Sequence, residues 1–350
     1  MIKKMKIVFL FGTLLFFVGA FALTTSLIIT LWATVILIVI FVLTFFSFKY
    51  INKILRKTNL YKNQFIDTKN FVNGLEYRDD LQRNYEVVNV GSNPAKFAFF
   101  YQDVIGRNWS TGSQSLKSDF NILKYYHSYI KEGGTVIIPL VVFSSCFDDY
   151  LITAPSHYSK YYLILDKTLI DNYSQWFRLR YVTYPLLSNP LRALRSLLYD
   201  DPKDNRLEID AQLLDKFDLE RDAQKWVTNW KEEFDINDLD APITQSNLNR
   251  QVTNASLLSE VISFCLERNL KPVLVLPPVT RALSSKFSET FRENYIYSFI
   301  KEANTNQVIF LNYFDDKRFV DSNLFFNSFF LNLKGRKLFT SQVLSDLGLV

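Results

Sequence analysis

From residue 7 to residue 48 the chain carries no charged side chain, and almost every position is apolar. About 20 apolar residues cross the hydrocarbon core of a bilayer, so this run is long enough for two helices. The polar break Leu23-Thr24-Thr25-Ser26 divides it into spans at about 7–23 and 27–48. No small-residue cleavage site leads into a polar start, which argues against a removed signal peptide. Lys3, Lys4 and Lys6 precede the run, and Lys49, Lys53, Arg56 and Lys57 follow it. Positive charge on both flanks predicts a transmembrane helical hairpin with both ends on the cytoplasmic side. The expected organisation is a two-pass anchor over 1–57 and a domain over 58–350 on the cytoplasmic face.

Beyond the anchor the pattern changes to short apolar runs alternating with amphipathic stretches. Residues 87–90, 135–143, 271–279 and 307–313 read as buried strands bounded by glycine, proline or polar residues. Residues 118–131, 257–269, 291–303 and 335–347 carry apolar positions at helical spacing. Such alternation predicts an α/β fold, a parallel sheet flanked by helices on both faces. A helical insertion over about 150–250 interrupts it, with helical patterns at 158–176, 185–198 and 223–234. The polar run 235–254 reads as a connection back to the sheet, and 201–206 as a solvated loop. Trp226, Trp230 and Phe234 recur at four-residue spacing on one helix face, which favours core packing over a sugar-stacking platform.

Charge narrows the partners. Forty basic residues face 35 acidic ones, but seven of the basic residues flank the apolar run. Residues 58–350 are left with 33 basic and 35 acidic side chains. The excess positive charge therefore sits beside the membrane, where it suits anionic lipid headgroups. No basic stripe with interleaved aromatics points to nucleic acid. Cys146 and Cys265 are far apart in apolar surroundings and read as structural thiols. No cysteine–histidine cluster offers a metal site, and no cofactor is expected.

Candidate chemistry lies where the strands end. After the first run comes Gly91-Ser92-Asn93-Pro94; after the next polar segment, Gly106-Arg107-Asn108 and Gly112. The strand at 135–143 leads into Ser144-Ser145-Cys146, and near the C-terminus stands Asn327-Ser328-Phe329-Phe330-Leu331-Asn332-Leu333-Lys334-Gly335. In this order the segments resemble the blocks of the SGNH/GDSL hydrolase superfamily, over roughly residues 85–145 and 255–350. The resemblance implies a flavodoxin-like three-layer sheet, with Ser92 as the candidate nucleophile on a tight turn. Gly106 (or Gly112) and Asn108 would be the oxyanion donors. Its last block is Asp-x-x-His-Leu-Asn-x-x-Gly, and here Asn327 occupies the acid position and Phe330 the base position. A phenyl ring takes no proton, so the general base that activates serine is lost. The third block's asparagine is likewise replaced by Ser144-Ser145-Cys146.

Replacements for the base are few. His127 lies on a helical pattern among tyrosines and reads as a surface or half-buried histidine; His157 opens the insertion, near the mouth of the site. Asp315, Asp316 and Asp321 offer carboxylates ahead of the last block. The resemblance implies a membrane-anchored, catalytically impaired protein of bacterial surface-polysaccharide biosynthesis, in the cytoplasmic membrane. It would act by binding a glycan or lipid-linked intermediate. The alternative is an acyl esterase or O-acyltransferase using Ser92 with a non-standard base. Family relatives that modify surface polymers often sit outside on a single anchor, which opposes the cytoplasmic placement read from charge.

Overall fold

Five short strands pair in parallel into one sheet in the order β2-β1-β3-β4-β5: β1 (Tyr85–Asn89), β2 (Gly106–Asn108), β3 (Ile130–Pro139), β4 (Lys271–Leu276) and β5 (Phe310–Asn312). The structure, a computed structural model, describes Leu14 and residues 27–64, 84–147 and 160–350. This strand order is the flavodoxin-like doubly wound one, and its switch point lies between β1 and β3. Side chains alternate across the sheet with period two. Val88, Val136, Ile138, Leu274 and Leu276 enter one core, while Val87, Ile137, Val273 and Val275 enter the other.

The helices, in chain order, are α1 (Leu27–Leu55), α2 (Asn59–Gln64), α3 (Asn93–Lys96), α4 (Leu116–Tyr126), α5 (Pro190–Ser196), α6 (Lys216–Glu233), α7 (Gln245–Leu266), α8 (Ser298–Ala303) and α9 (Leu333–Asp346). Shorter helical turns lie between them. Phe120 and Leu123 of α4, Leu258 and Ile262 of α7 and Phe299 of α8 cover the first face. Phe339 and Val343 of α9 cover the second, with Tyr313 and Phe319. The expected α/β sheet with helices on both faces is therefore present.

Several expectations change. Among the described residues one helix, α1, is long and apolar enough to cross a membrane, and the hairpin is not seen. The predicted span 7–23 lies, apart from Leu14, outside the described residues. The helix of the second span runs on past residue 48 to Leu55, and Asn52 and Leu55 are buried where it meets the domain. The pattern at 158–176 forms no single helix but separate turns at Tyr161–Ile164, Lys167–Leu169 and Gln175–Arg178. The polar run 235–254 is no simple connection, since its second half begins α7, capped by Thr244. The strand expected at 135–143 begins earlier, at Ile130, and Gly133 and Gly134 lie inside it, at an irregularity in its pairing with β1. Gly133 there has φ +72°, a conformation glycine adopts at no steric cost.

The insertion grips the base of α1. The Phe48 ring lies 5.2 Å from that of Tyr184, and Leu186 N–H donates to Asn52 Oδ1 at 3.0 Å. The Tyr61 hydroxyl donates to Val182 O at 2.8 Å. Asp200 accepts from the amides of Asn59 and Leu60 at 2.7 and 3.1 Å, and Asn63 Nδ2 donates to Pro202 O at 2.8 Å. Helix α1 thus joins the domain through side-chain and backbone contacts at its C-terminal end.

Candidate functional site

Doubly wound sheets bind ligands outside the carboxyl ends of their strands, at the switch point. Here that region is formed by the turn after β1, the segment after β3, Pro277 and Pro278 after β4, and the last block before α9. Gly91 has φ +121°, and a Cβ there would meet Ala95 Cβ at 2.6 Å and Pro139 at 3.6 Å. Only glycine fits so close an approach of β1 and α3. The Gly91 amide donates to Asp119 Oδ1 at 2.8 Å, and Gly91 O accepts from Thr111 N–H at 3.1 Å. Asp119, buried in the first turn of α4, is a site-shaping residue that sequence reasoning passed over.

Ser92 follows as the N-cap residue of α3, half-buried, and its hydroxyl makes no capping hydrogen bond. Among the described residues no hydrogen bond from an imidazole or carboxylate reaches it. His127 lies at the end of α4 just before β3, at the amino end of the central strand and so opposite the carboxyl ends where Ser92 stands. There its Nδ1 is 3.0 Å from Lys124 O and its ring meets Phe264 edge-on at 5.5 Å. His157 lies outside the described residues. Asp315 is paired with Arg292, Asp316 with Arg318, and Asp321 caps the turn Ser322–Leu324.

The proposed oxyanion donors are committed elsewhere. Gly106 opens β2 opposite Val87, away from the strand's carboxyl end, and its amide donates to Val104 O at 2.8 Å. Asn108 closes β2 and turns inward. Its Nδ2 donates to Phe99 O at 3.1 Å and to Ala95 O at 3.3 Å; its Oδ1 accepts from Asn89 Nδ2 at 2.9 Å and Ser110 N–H at 3.0 Å. This network braces β1, β2 and α3 and leaves Asn108 no free amide hydrogen to point at a substrate. Gly112 O accepts from the buried Lys160 Nζ. Ser144 Oγ accepts from Val141 N–H at 2.8 Å, and Asn254 Nδ2 on α7 holds Ser145 O at 2.9 Å. The segment after β3 is therefore a braced turn.

The last block is built for packing. Asn327 Oδ1 accepts from the amides of Phe329 and Phe330 at 3.0 and 2.7 Å, fixing a tight turn. That turn drives both rings into the switch point. Phe330 stacks on Phe97 at 5.0 Å and on Phe329 at 4.7 Å, and meets Trp226 edge-on at 5.7 Å. Phe97 also meets Phe326 at 5.1 Å, and Phe329 meets Trp230 at 5.1 Å. Beside Pro94, Leu140, Val142, Pro277 and Phe329 only about 10 Å³ of free space remains, the lower limit for a single water. Phe330 is thus the centre of an aromatic plug. A wider groove of about 550 Å³ exists, but on the outer surface of α7, lined by Phe120, Ser256, Ser259 and Phe264.

The retained half of the block has a structural account. Asn332 caps α9, its Oδ1 accepting from Gly335 N–H at 2.9 Å and its Nδ2 donating to Asn323 O at 2.7 Å. A Cβ on Gly335 would stand 2.0 Å from Leu324 O. Leucine, asparagine and glycine at these spacings therefore follow from helix capping and close packing alone. Among the described residues no cluster of histidine, cysteine and carboxylate side chains forms a metal site. No protein-family model and no curated protein matches this chain, so the reading of its site rests on geometry and on the order of its sequence blocks.

Proposed function

We infer that this chain is a membrane-anchored, hydrolase-shaped module without hydrolytic chemistry, a non-catalytic relative of SGNH-type enzymes. The observation that carries the reading is the aromatic plug. Phe330 fills the position of the general base, and among the described residues no group able to take its proton is hydrogen-bonded to the Ser92 hydroxyl. Serine without such a base is a weak nucleophile, and loss of the base removes several orders of magnitude of rate. The proposed role is to bind or position a glycan or lipid-linked saccharide of a bacterial surface-polysaccharide pathway; the ligand class comes from the resemblance. Because the crevice is filled, a saccharide would lie across the half-exposed rim of Ser92, Asn93, Val141 and Asn327 rather than enter a pocket.

Hydrolysis of a small activated acetyl ester by the full chain in detergent, beside its Ser92→Ala variant, tests the inference. Equal, background-level rates are expected. A rate that disappears with Ser92→Ala would establish an unrecognised base and turn the reading to an acyl esterase or O-acyltransferase.

A further inference from the structure

The segment that grips the base of α1 also carries apolar side chains with nothing packed on them. Helix α5, capped by Asn189, buries only Ala193 and Ser196 against the domain. On its outer side Leu191 and Leu194, three residues apart, lie on one face, and Leu198 and Tyr199 follow in the turn after the helix. Leu191, Leu198 and Tyr199 are 83, 80 and 74% exposed. Arg192 and Arg195 flank this strip and are exposed, Arg192 bound to Asp201 at 3.0 Å. Few soluble surfaces offer so contiguous an apolar face without a partner.

The clamp sets the height of the strip. Residues 184–186 contact Phe48 and Asn52 on one side of α5, and Asp200 holds Asn59 and Leu60 on the other. About 20 residues of a helix fill the hydrocarbon core. The uncharged part of α1 ends at Phe48, and Lys49 and Lys53 follow. The level of Phe48 to Asn52 is therefore the boundary between acyl chains and headgroups, and α5 is held beside it. A cleft of about 240 Å³ opens at the same level between α1, α2 and α5, lined by Leu55, Tyr61, Asn189 and Arg192.

We propose that the α5 strip is an interfacial docking surface for the bilayer that α1 spans. Leu191, Leu194, Leu198 and Tyr199 enter the acyl boundary. Arg195, with Lys49, Lys53 and Arg56, meets anionic headgroups. Apolar side chains beside basic ones on a short helix suit this boundary, and tyrosine is favoured at headgroup depth. The inference rests on α1 being a spanning helix, but not on any role for the switch-point region.

The test uses the full chain carrying Leu194→Cys and a polarity-sensitive thiol label, reconstituted in vesicles of phosphatidylcholine and phosphatidylglycerol. Cys146 and Cys265 are fully buried and do not compete for the label. The same label at position 213, exposed and outside the strip, is the water reference. Blue-shifted emission, quenched severalfold more than the reference by lipids bearing a nitroxide near the headgroup, is expected. Leu191→Ser with Leu198→Ser should return the label to the water value. A label as wet as the reference in protein that resists alkaline extraction overturns the docking surface alone. A label that is shielded yet unquenched would show a second protein copy on the strip and also overturns it. Release by alkaline extraction removes the spanning reading, and the docking surface with it.

Discussion

Gly335 shows how a single missing methyl group can shape the site. Its Cα packs so closely on Leu324 that an added Cβ would overlap the carbonyl oxygen, a backbone atom that cannot swing aside. Gly335→Ala should lower stability by about 2–3 kcal/mol, read as a fall in the denaturation midpoint. Phe330 is the complementary case, a large ring among other rings. Phe330→Ala should cost about 3–5 kcal/mol. Phe330→His, even with Asn327→Asp, should destabilise by about 2–4 kcal/mol because it buries a polar imidazole in an apolar cluster, and it should yield no esterase activity. Asn327→Asp alone should be mild, since a carboxylate oxygen can accept the same two amides. Denaturant titration of these variants checks the order. At this scale the sequence alone shows that Asn327 and Phe330 carry no group able to act as acid or base. The plug was not legible. Phe97, Trp226 and Phe330 lie far apart in the chain, and only the folded sheet brings their rings together.

At the scale of elements, the long apolar strands were readable and the disguised elements were not. β3 from Val136 to Pro139 and β4 from Pro272 to Leu276 are buried throughout, and their side chains there are uniformly apolar. β2 has three residues, none fully buried, and looks like loop. The first half of α7 was hidden for a different reason. Its buried stripe runs through Asn247, Gln251, Ala255, Leu258, Ile262 and Cys265, so the face begins with two amides. Asn247 Nδ2 donates to Phe234 O at 2.9 Å and Gln251 Nε2 to Ser298 Oγ at 3.0 Å, and these bonds make polar burial tolerable. At the junction of α1 with the domain, Asn52→Leu keeps the bulk but leaves the Leu186 amide without its acceptor. A loss of about 1–3 kcal/mol is expected, seen as a lower melting temperature in detergent. Two elements also carry silent thiols. Burial pushes Cys146 in the turn after β3 up to about 11 and Cys265 on α7 up to about 12. Neither should react with a thiol reagent at neutral pH until the chain unfolds, when both become titratable.

For the whole molecule, acid is the sensitive direction. Hydrogen bonding from Tyr313, then from Gln342, and the nearby Arg318 hold the Asp346 carboxyl below the usual carboxylate range. Arg318 does the same for Asp316, Arg206 for Asp204 and Lys131 for Glu86. A carboxyl depressed in the folded state stabilises fully above its unfolded value, near 4. That contribution is lost as pH falls through the lower folded value. Each group is mostly solvated, so the individual terms are small and the effect is their sum. The melting temperature should be flat on the carboxylate side near neutrality and drop below about pH 4, and Asp346→Asn should shallow that drop. Finally, the sheet ends on both sides in strands of three residues, β2 and β5. An exposed strand edge is a template on which another chain can add, and short edges offer little to pair with. A domain fixed to a membrane meets its copies in two dimensions, at high local concentration. With its sheet edges this short, copies held in a membrane by α1, as proposed, could be crowded there without their sheets growing into one another.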